Sequence, residues 1–266
     1  MDGSKKVMRP ATAAGALSRC TSWLFVSVLL LSMTVGASAQ GDDFGIWTSL
    51  GVEKGIDKKW SLGAETEYRM RNDTRTADRW SLGVDATYKV AKWLKASAGY
   101  TLLYDNNRED ISYNEDGSYN NWRPSYWGLR HRFSVSATGS VGLGRFKLSL
   151  RERWQYTYRQ EKTVRRYDFD NEWWEDKVRT GKSKHLLRSR FKADYDVPKC
   201  KVDPYVEVEL FTGSSLEKVR YTAGADWKIK KKHVVNFFYR YQTVNDRDDD
   251  NEANRHILGA GYTFKF

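Results

Sequence analysis

Trp60-Ser61-Leu62-Gly63-Ala64-Glu65-Thr66-Glu67-Tyr68-Arg69-Met70 is the stretch on which the reading of the whole chain turns. Trp60, Leu62, Ala64, Thr66, Tyr68 and Met70 fall on one side of a period-two alternation, and Ser61, Gly63, Glu65, Glu67 and Arg69 on the other. Successive side chains of a β-strand point to opposite faces, so this is a strand with one apolar and one polar face. The following segment repeats the pattern, with Trp80, Leu82, Val84, Ala86 and Tyr88 set against Arg79, Ser81, Gly83, Asp85 and Thr87. Working outward in both directions gives eleven candidate strands, from residues 44–53 to 256–266, and almost no helical periodicity after Gln40.

A soluble β-sandwich alternates too, and three further features argue for a membrane barrel. The candidate strands have about the 9–11 residues that a tilted membrane strand needs. Trp60, Trp80, Tyr88, Tyr104, Trp127, Tyr195 and Trp227 gather near strand ends, as aromatic girdles at two lipid–water interfaces do. Tight connections (55–58, 91–92, 142–144, 230–232) alternate with the long polar segments 105–125 and 159–182, matching short periplasmic turns and longer outer loops. The chain ends Tyr262-Thr263-Phe264-Lys265-Phe266. This aromatic strand with a terminal Phe resembles the signature read by the outer-membrane assembly machinery, and it makes Tyr262, Phe264 and Phe266 the expected assembly signal.

Residues 1–39 read as a cleaved signal peptide. Lys5, Lys6, Arg9 and Arg19 precede an uncharged run over 23–35, and Ala37-Ser38-Ala39 supplies small residues for cleavage. Its removal takes away four basic groups and Asp2, lowering the formal charge from +11 to +8. It also leaves Cys200 as the one cysteine of the mature chain, so no intramolecular disulfide is expected there. The expectation is therefore an all-β protein: an antiparallel, up-and-down transmembrane barrel of ten to twelve strands over 40–266, in the cell outer membrane. Eleven strands sit awkwardly with the even counts of single-chain bacterial barrels. Either the strand from Phe44 lies inside or along the seam, or another strand hides near Trp173 and Trp174.

The opening of the mature segment, Asp43-Phe44-Gly45-Ile46-Trp47-Thr48 followed by Trp60-Ser61-Leu62, resembles the family named for domain of unknown function 2490, as does the run of hairpins to Phe266. That resemblance covers nearly all of 43–266 and implies an outer-membrane barrel. It assigns no catalytic residue.

On the polar faces, Arg130 and Arg132, Arg151 and Arg153, and Arg188 and Arg190 form Arg-x-Arg pairs on three successive strands, all opposite in parity to the apolar residues. A symmetric hairpin about Val141 and Gly142 sets Arg132 opposite Arg151 and Arg130 opposite Arg153. Like charges directly opposite one another destabilise a sheet. Two compensations remain open. Small anionic solutes or phosphate groups suit the planar guanidinium fork. Alternatively Glu65, Glu67, Glu207 and Glu209, which also point inward, act as acidic counter-charges in a structural network. The chain then reads as a narrow channel or a structural membrane protein with an arginine-rich lumen. The alternative is an outer-membrane enzyme or a surface binding protein acting through its long outer loops.

Nothing points to a cofactor. Residues 245–252 are rich in Asp and Asn but lack the glycine and spacing of an EF-hand loop; a solvated outer loop, open to bridging to lipopolysaccharide by divalent ions, is the simpler reading. His131 and His256 share the parity of lipid-facing residues, His185 and His233 sit near strand starts, and no evident triad accompanies them. The basic residues alternate with apolar ones along sealed strands, which is no nucleic-acid footprint. The expected partners are outer-membrane lipid, lipopolysaccharide, the barrel assembly machinery and small anionic solutes.

Overall fold

Long strands with one apolar and one polar face bury neither in isolation, and closing the sheet on itself separates the two faces completely. The computed structural model describes residues 42–230, 232–245 and 252–266. The expected signal peptide, 1–39, lies outside them, as do 246–251 of the Asp-rich loop.

Eleven strands form the barrel: β1 (Asp43–Gly55), β2 (Trp60–Arg71), β3 (Thr76–Lys89), β4 (Leu94–Asn107), β7 (Tyr126–Leu143), β8 (Phe146–Arg159), β11 (Lys182–Tyr195), β12 (Val202–Thr212), β13 (Leu216–Ile229), β14 (His233–Val244) and β15 (Arg255–Lys265). Four more, β5 (Asp110–Tyr113), β6 (Tyr119–Arg123), β9 (Lys162–Asp168) and β10 (Trp173–Arg179), form a separate sheet in the order β10-β9-β6-β5. All eleven sequence-derived strands are barrel strands. The hidden strands near Trp173 exist, but they stand beyond the barrel.

The odd strand count is resolved at the seam. β1 pairs antiparallel with β2 and parallel with β15, from Asp43↔Arg255 to Glu53↔Lys265. At the far end Phe266 N donates to Glu53 O (3.0 Å) and Gly55 N to Phe266 O (3.2 Å). Because the closing pair is parallel, β1 starts at the barrel end that carries the two long loops, while β15 finishes at the end with short turns.

The short turns have local causes. Asp57 Oδ1 accepts from the backbone N–H groups of Lys59 and Trp60, each at 2.6 Å, closing the β1–β2 turn. Those two donors, Trp60 first, hold its carboxyl below the usual carboxylate range. The β7–β8 hairpin turns at Gly144, whose φ of 62° suits a residue without Cβ. The outer sheet extends the wall below it. Asn107↔Tyr126 in the barrel is followed in the same register by Asp110↔Arg123, and Arg159↔Lys182 by Lys162↔Arg179.

The barrel has its apolar surface outside. Leu50, Leu82 and Phe191, for example, are 61%, 58% and 50% exposed, whereas Gln155, Glu207, Glu209, Thr222 and Gln242 are buried within. Such an inside-out distribution needs a lipid surround. Aromatic pairs mark both rims: Trp60–Tyr88 at the short-turn end, Tyr68–Trp80 and Tyr104–Trp127 at the loop end. His131 and His256 lie outward as expected, and so does His233; the Nδ1 of each stands 2.7 Å from a tyrosine hydroxyl (Tyr100, Tyr239 and Tyr262 respectively). His185 is the fourth residue of β11 rather than its start.

Phe238 lies across Gly259 of the neighbouring strand, so a Cβ there would overlap its ring. Gly259→Val is expected to lower the fraction of protein showing the folded, heat-modifiable gel mobility. Gly139→Ala, whose Cβ meets nothing within 4 Å, should leave that fraction unchanged.

Candidate functional site: a basic lumen

Parity sends every second residue of each barrel strand inward, and the inward set encloses one cavity of about 890 Å³. Its lining runs from Arg159, Lys182 and Lys184 near the loop end to Glu53, Ser61 and Lys95 near the short-turn end. Sixteen arginines and lysines line it, against eight carboxylates.

The six arginines foreseen from sequence all face this lumen, but their pairing differs from expectation. The hairpin centres on Gly144–Arg145 rather than Val141–Gly142, so Arg132 stands opposite Thr157, Arg151 opposite Thr138 and Arg153 opposite Ser136. Arg130 faces Arg159. Within the six, the direct like-charge pairs lie across β8 and β11, where Arg153 meets Arg188 and Arg151 meets Arg190.

Buried acids on β12 offset part of that repulsion. Glu209, 2% exposed, takes Arg151 Nη2 on Oε1 and Arg188 Nη2 on Oε2, each at 2.7 Å, with Arg220 at 3.9 Å. Glu207 binds Arg240 (3.0 Å) and Arg190 (3.4 Å). Glu207 and Glu209 thus contact the arginine row directly. Glu65 and Glu67 do not. Glu67 pairs with Arg69 of its own strand (2.6 Å), and Glu65 is an exposed lumen residue with no ion pair to the arginine row.

Two of the six arginines, Arg132 and Arg153, have no carboxylate within ion-pair distance among the described residues. Arg132 Nε donates to the Thr157 hydroxyl (3.2 Å), and the buried Nε of Arg153 has no hydrogen-bond partner among the described residues. Glu209 is taken by Arg188, the cross-strand neighbour of Arg153, and by Arg151.

Sequence reasoning missed the constriction around Trp47. Ile46, Thr48 and Leu50 face out, so Trp47 faces in, and it is 3% exposed. Arg69, Arg220 and Arg240 lie over its ring at 3.7, 5.0 and 5.3 Å, an arrangement that stabilises clustered cations on an aromatic face. Toward the loop end, Asp43 and Asp78 hold Arg255 (3.0 and 2.9 Å), and Asp105 holds Arg130 (3.1 Å) and Arg79. Glu252 reaches Lys218. Parity alone was the signal that could have found Trp47. No group of His, Cys, Asp and Glu that could hold a metal occurs among the described residues.

A closed barrel with an apolar exterior and a charged, cavity-bearing interior is an outer-membrane-type β-barrel. The chain belongs to the family described as "Protein of unknown function (DUF2490)", whose model matches residues 44–264. The translocator domain of the autotransporter NalP from Neisseria meningitidis is similar in fold, with a TM-score of 0.53 and 12% identity over 88% of this chain and 95% of that one. The beta domain of the Bordetella autotransporter BrkA gives 0.49 and 15% over 78% and 83%. The NanC porin gives 0.46 and 11% over 84% and 98%. No curated protein matches the sequence.

Proposed function

We propose that the chain is a narrow, non-enzymatic outer-membrane channel that favours small anionic solutes. The observation that carries this reading is the twofold excess of basic over acidic groups along a cavity lined from end to end. In a confined, low-dielectric bore such an excess raises the local anion concentration. Glu65 and Asp85 add support, because both face inward and yet are exposed; their surroundings are lumen space. Purified protein in a planar bilayer is expected to conduct with anion preference. A well-folded barrel without conductance overturns the reading.

In the orientation that fits short periplasmic turns, the outer sheet and the start of β1 both lie outside the cell. An epitope placed just before Asp42, or within 114–118, should then be stained on intact cells. One inserted at Ala91–Lys92 should be stained only after permeabilisation. Staining in the reverse sense inverts the topology.

The surface-binding alternative draws on one feature of the outer sheet. Ile111, Trp122, Tyr167 and Trp174 form a row across its four strands, with Trp122–Trp174 and Tyr167–Trp174 ring centroids 5.6 and 5.3 Å apart. Deleting 110–123 separates the readings: a channel keeps its conductance, and a surface binder loses its function.

A further inference from the structure

The lumen holds charges of both signs that face one another without touching. On β2 and β3, Glu65 lies between Gly51 and Gly83 of the adjacent strands, and Asp85 between Gly63 and Gly99. A Cβ at Gly63 would stand 2.5 Å from Asp85 Oδ1, so the carboxylate lies over that glycine. The four glycines open a recess whose functional groups are the two acids. Neither acid has a cation within ion-pair distance among the described residues. Asp85 accepts one long bond from Thr87 (3.4 Å), and Glu65 accepts none among the described residues.

Arg153, on the β8 wall, lines the same cavity as both acids. Arg69 is the stronger positive neighbour of Glu65 and Glu209 the stronger acidic neighbour of Arg153, and Arg153 makes no ion pair or hydrogen bond with Glu65 or Asp85 among the described residues. Its own cross-strand partner is Arg188, already held by Glu209 and by Gln155 (3.3 Å). A cavity thus separates an unmatched guanidinium from two unmatched carboxylates. Protein side chains elsewhere in this lumen meet their counter-charges directly, as at Glu207, Glu209 and Glu67. A bare anion placed in the gap answers Arg153 but is repelled by Glu65 and Asp85. A bare cation has the opposite fault. A molecule carrying both charges satisfies all three groups.

We propose that the gap between Arg153 and the Glu65–Asp85 recess is a binding site for an amino acid of net negative charge. Its ammonium group lies in the glycine recess against Glu65 and Asp85, and a carboxylate lies on Arg153. The second carboxylate is accommodated by the surplus of basic groups along the same wall, where Arg132 also lacks an acid. Ammonium–carboxylate and guanidinium–carboxylate contacts are charge-assisted hydrogen bonds, the strong kind. This deepens the channel reading by naming the solute class, and it rests on that reading for transport but not for binding.

The test titrates the folded full-length barrel in detergent with L-glutamate, glutarate and 4-aminobutyrate by calorimetry. L-Glutamate is expected to bind about tenfold more tightly than glutarate, which lacks only the ammonium group, the worth of one charge-assisted hydrogen bond. In the Glu65→Gln, Asp85→Asn double variant that advantage should vanish while glutarate binding is retained or improved. Arg153→Gln should weaken both dicarboxylates. These three positions break no ion pair, so folded yield should hold, and heat-modifiable mobility checks it for each variant. Glutarate binding as tightly as L-glutamate to the unaltered barrel overturns the site, as does an L-glutamate advantage that survives the double variant. Conductance of the same preparation keeps the two readings apart. Selective L-glutamate binding without conductance retires the channel and keeps the site; anion-selective conductance without that binding does the reverse.

Discussion

Replacing Glu209 with glutamine is expected to cost the barrel about 3–5 kcal/mol, the usual penalty for removing one partner of a buried charge pair. The carboxylate holds Arg151 and Arg188 together, each at 2.7 Å, with side chains only 12% and 13% exposed. Both arginines also stand directly opposite other arginines, Arg190 and Arg153. Removing the acid exposes that repulsion as well as the two unpaired charges. The loss should appear as a lower denaturant midpoint for the vesicle-embedded protein. Glu53→Gln provides the contrast. Its pair with Lys265 (2.9 Å) is 43% and 47% exposed, and such surface pairs contribute at most about 1 kcal/mol. Equal losses for the two variants would mean that Glu209 holds nothing together.

The Arg132→Gln, Arg153→Gln double variant is expected to have the largest effect on conduction. Among the described residues neither is held by a carboxylate, so neutralising them removes lumen charge without orphaning an acid, and stability should stay level or rise. Anion preference should fall, and fall further in dilute salt, because the Debye length is about 30 Å at 0.01 M against about 8 Å at 0.15 M. The measurement is the reversal potential across a bilayer under a salt gradient, at both ionic strengths. A selectivity unchanged at low salt would show that these arginines lie off the conducting path. Substituting Arg151 or Arg190 instead confounds the two effects, since each is tied to Glu209 or Glu207.

Alternation made the barrel legible because it is a local property. Trp60-Ser61-Leu62-Gly63 announces its two faces within four residues, and every barrel strand does the same. Face assignments therefore survive: the six arginines, Glu65, Glu67, Glu207 and Glu209 all line the lumen as their parity requires. The asymmetry of long and short connections was legible for a similar reason, since a long polar interval is visible without knowing what it packs against.

Register was not legible, and the β7–β8 hairpin shows why. Moving its centre from Val141–Gly142 to Gly144–Arg145 leaves every side chain on the same face but changes every partner. Alternation is blind to that shift. Only the turn geometry at Gly144, with its positive φ, and the packing of both strands against their other neighbours select between the registers. The fate of the β9 and β10 segment was obscured likewise. Trp173 and Trp174 sit on a strand that pairs in register with β9 but stands beyond the barrel wall, and no local pattern distinguishes that from a membrane strand.

By itself, then, the sequence determined that this chain is a barrel and how its residues alternate between two faces. Those properties follow from the two-residue repeat of an extended backbone and from residue type. The tertiary structure alone decided that an odd number of strands closes through a parallel β1–β15 seam, that Glu209 bridges Arg151 and Arg188, and that Arg153, Glu65 and Asp85 line one cavity. Each of these joins residues far apart in the chain, and such distances are fixed by how the sheet curves shut, which no segment of the sequence encodes alone.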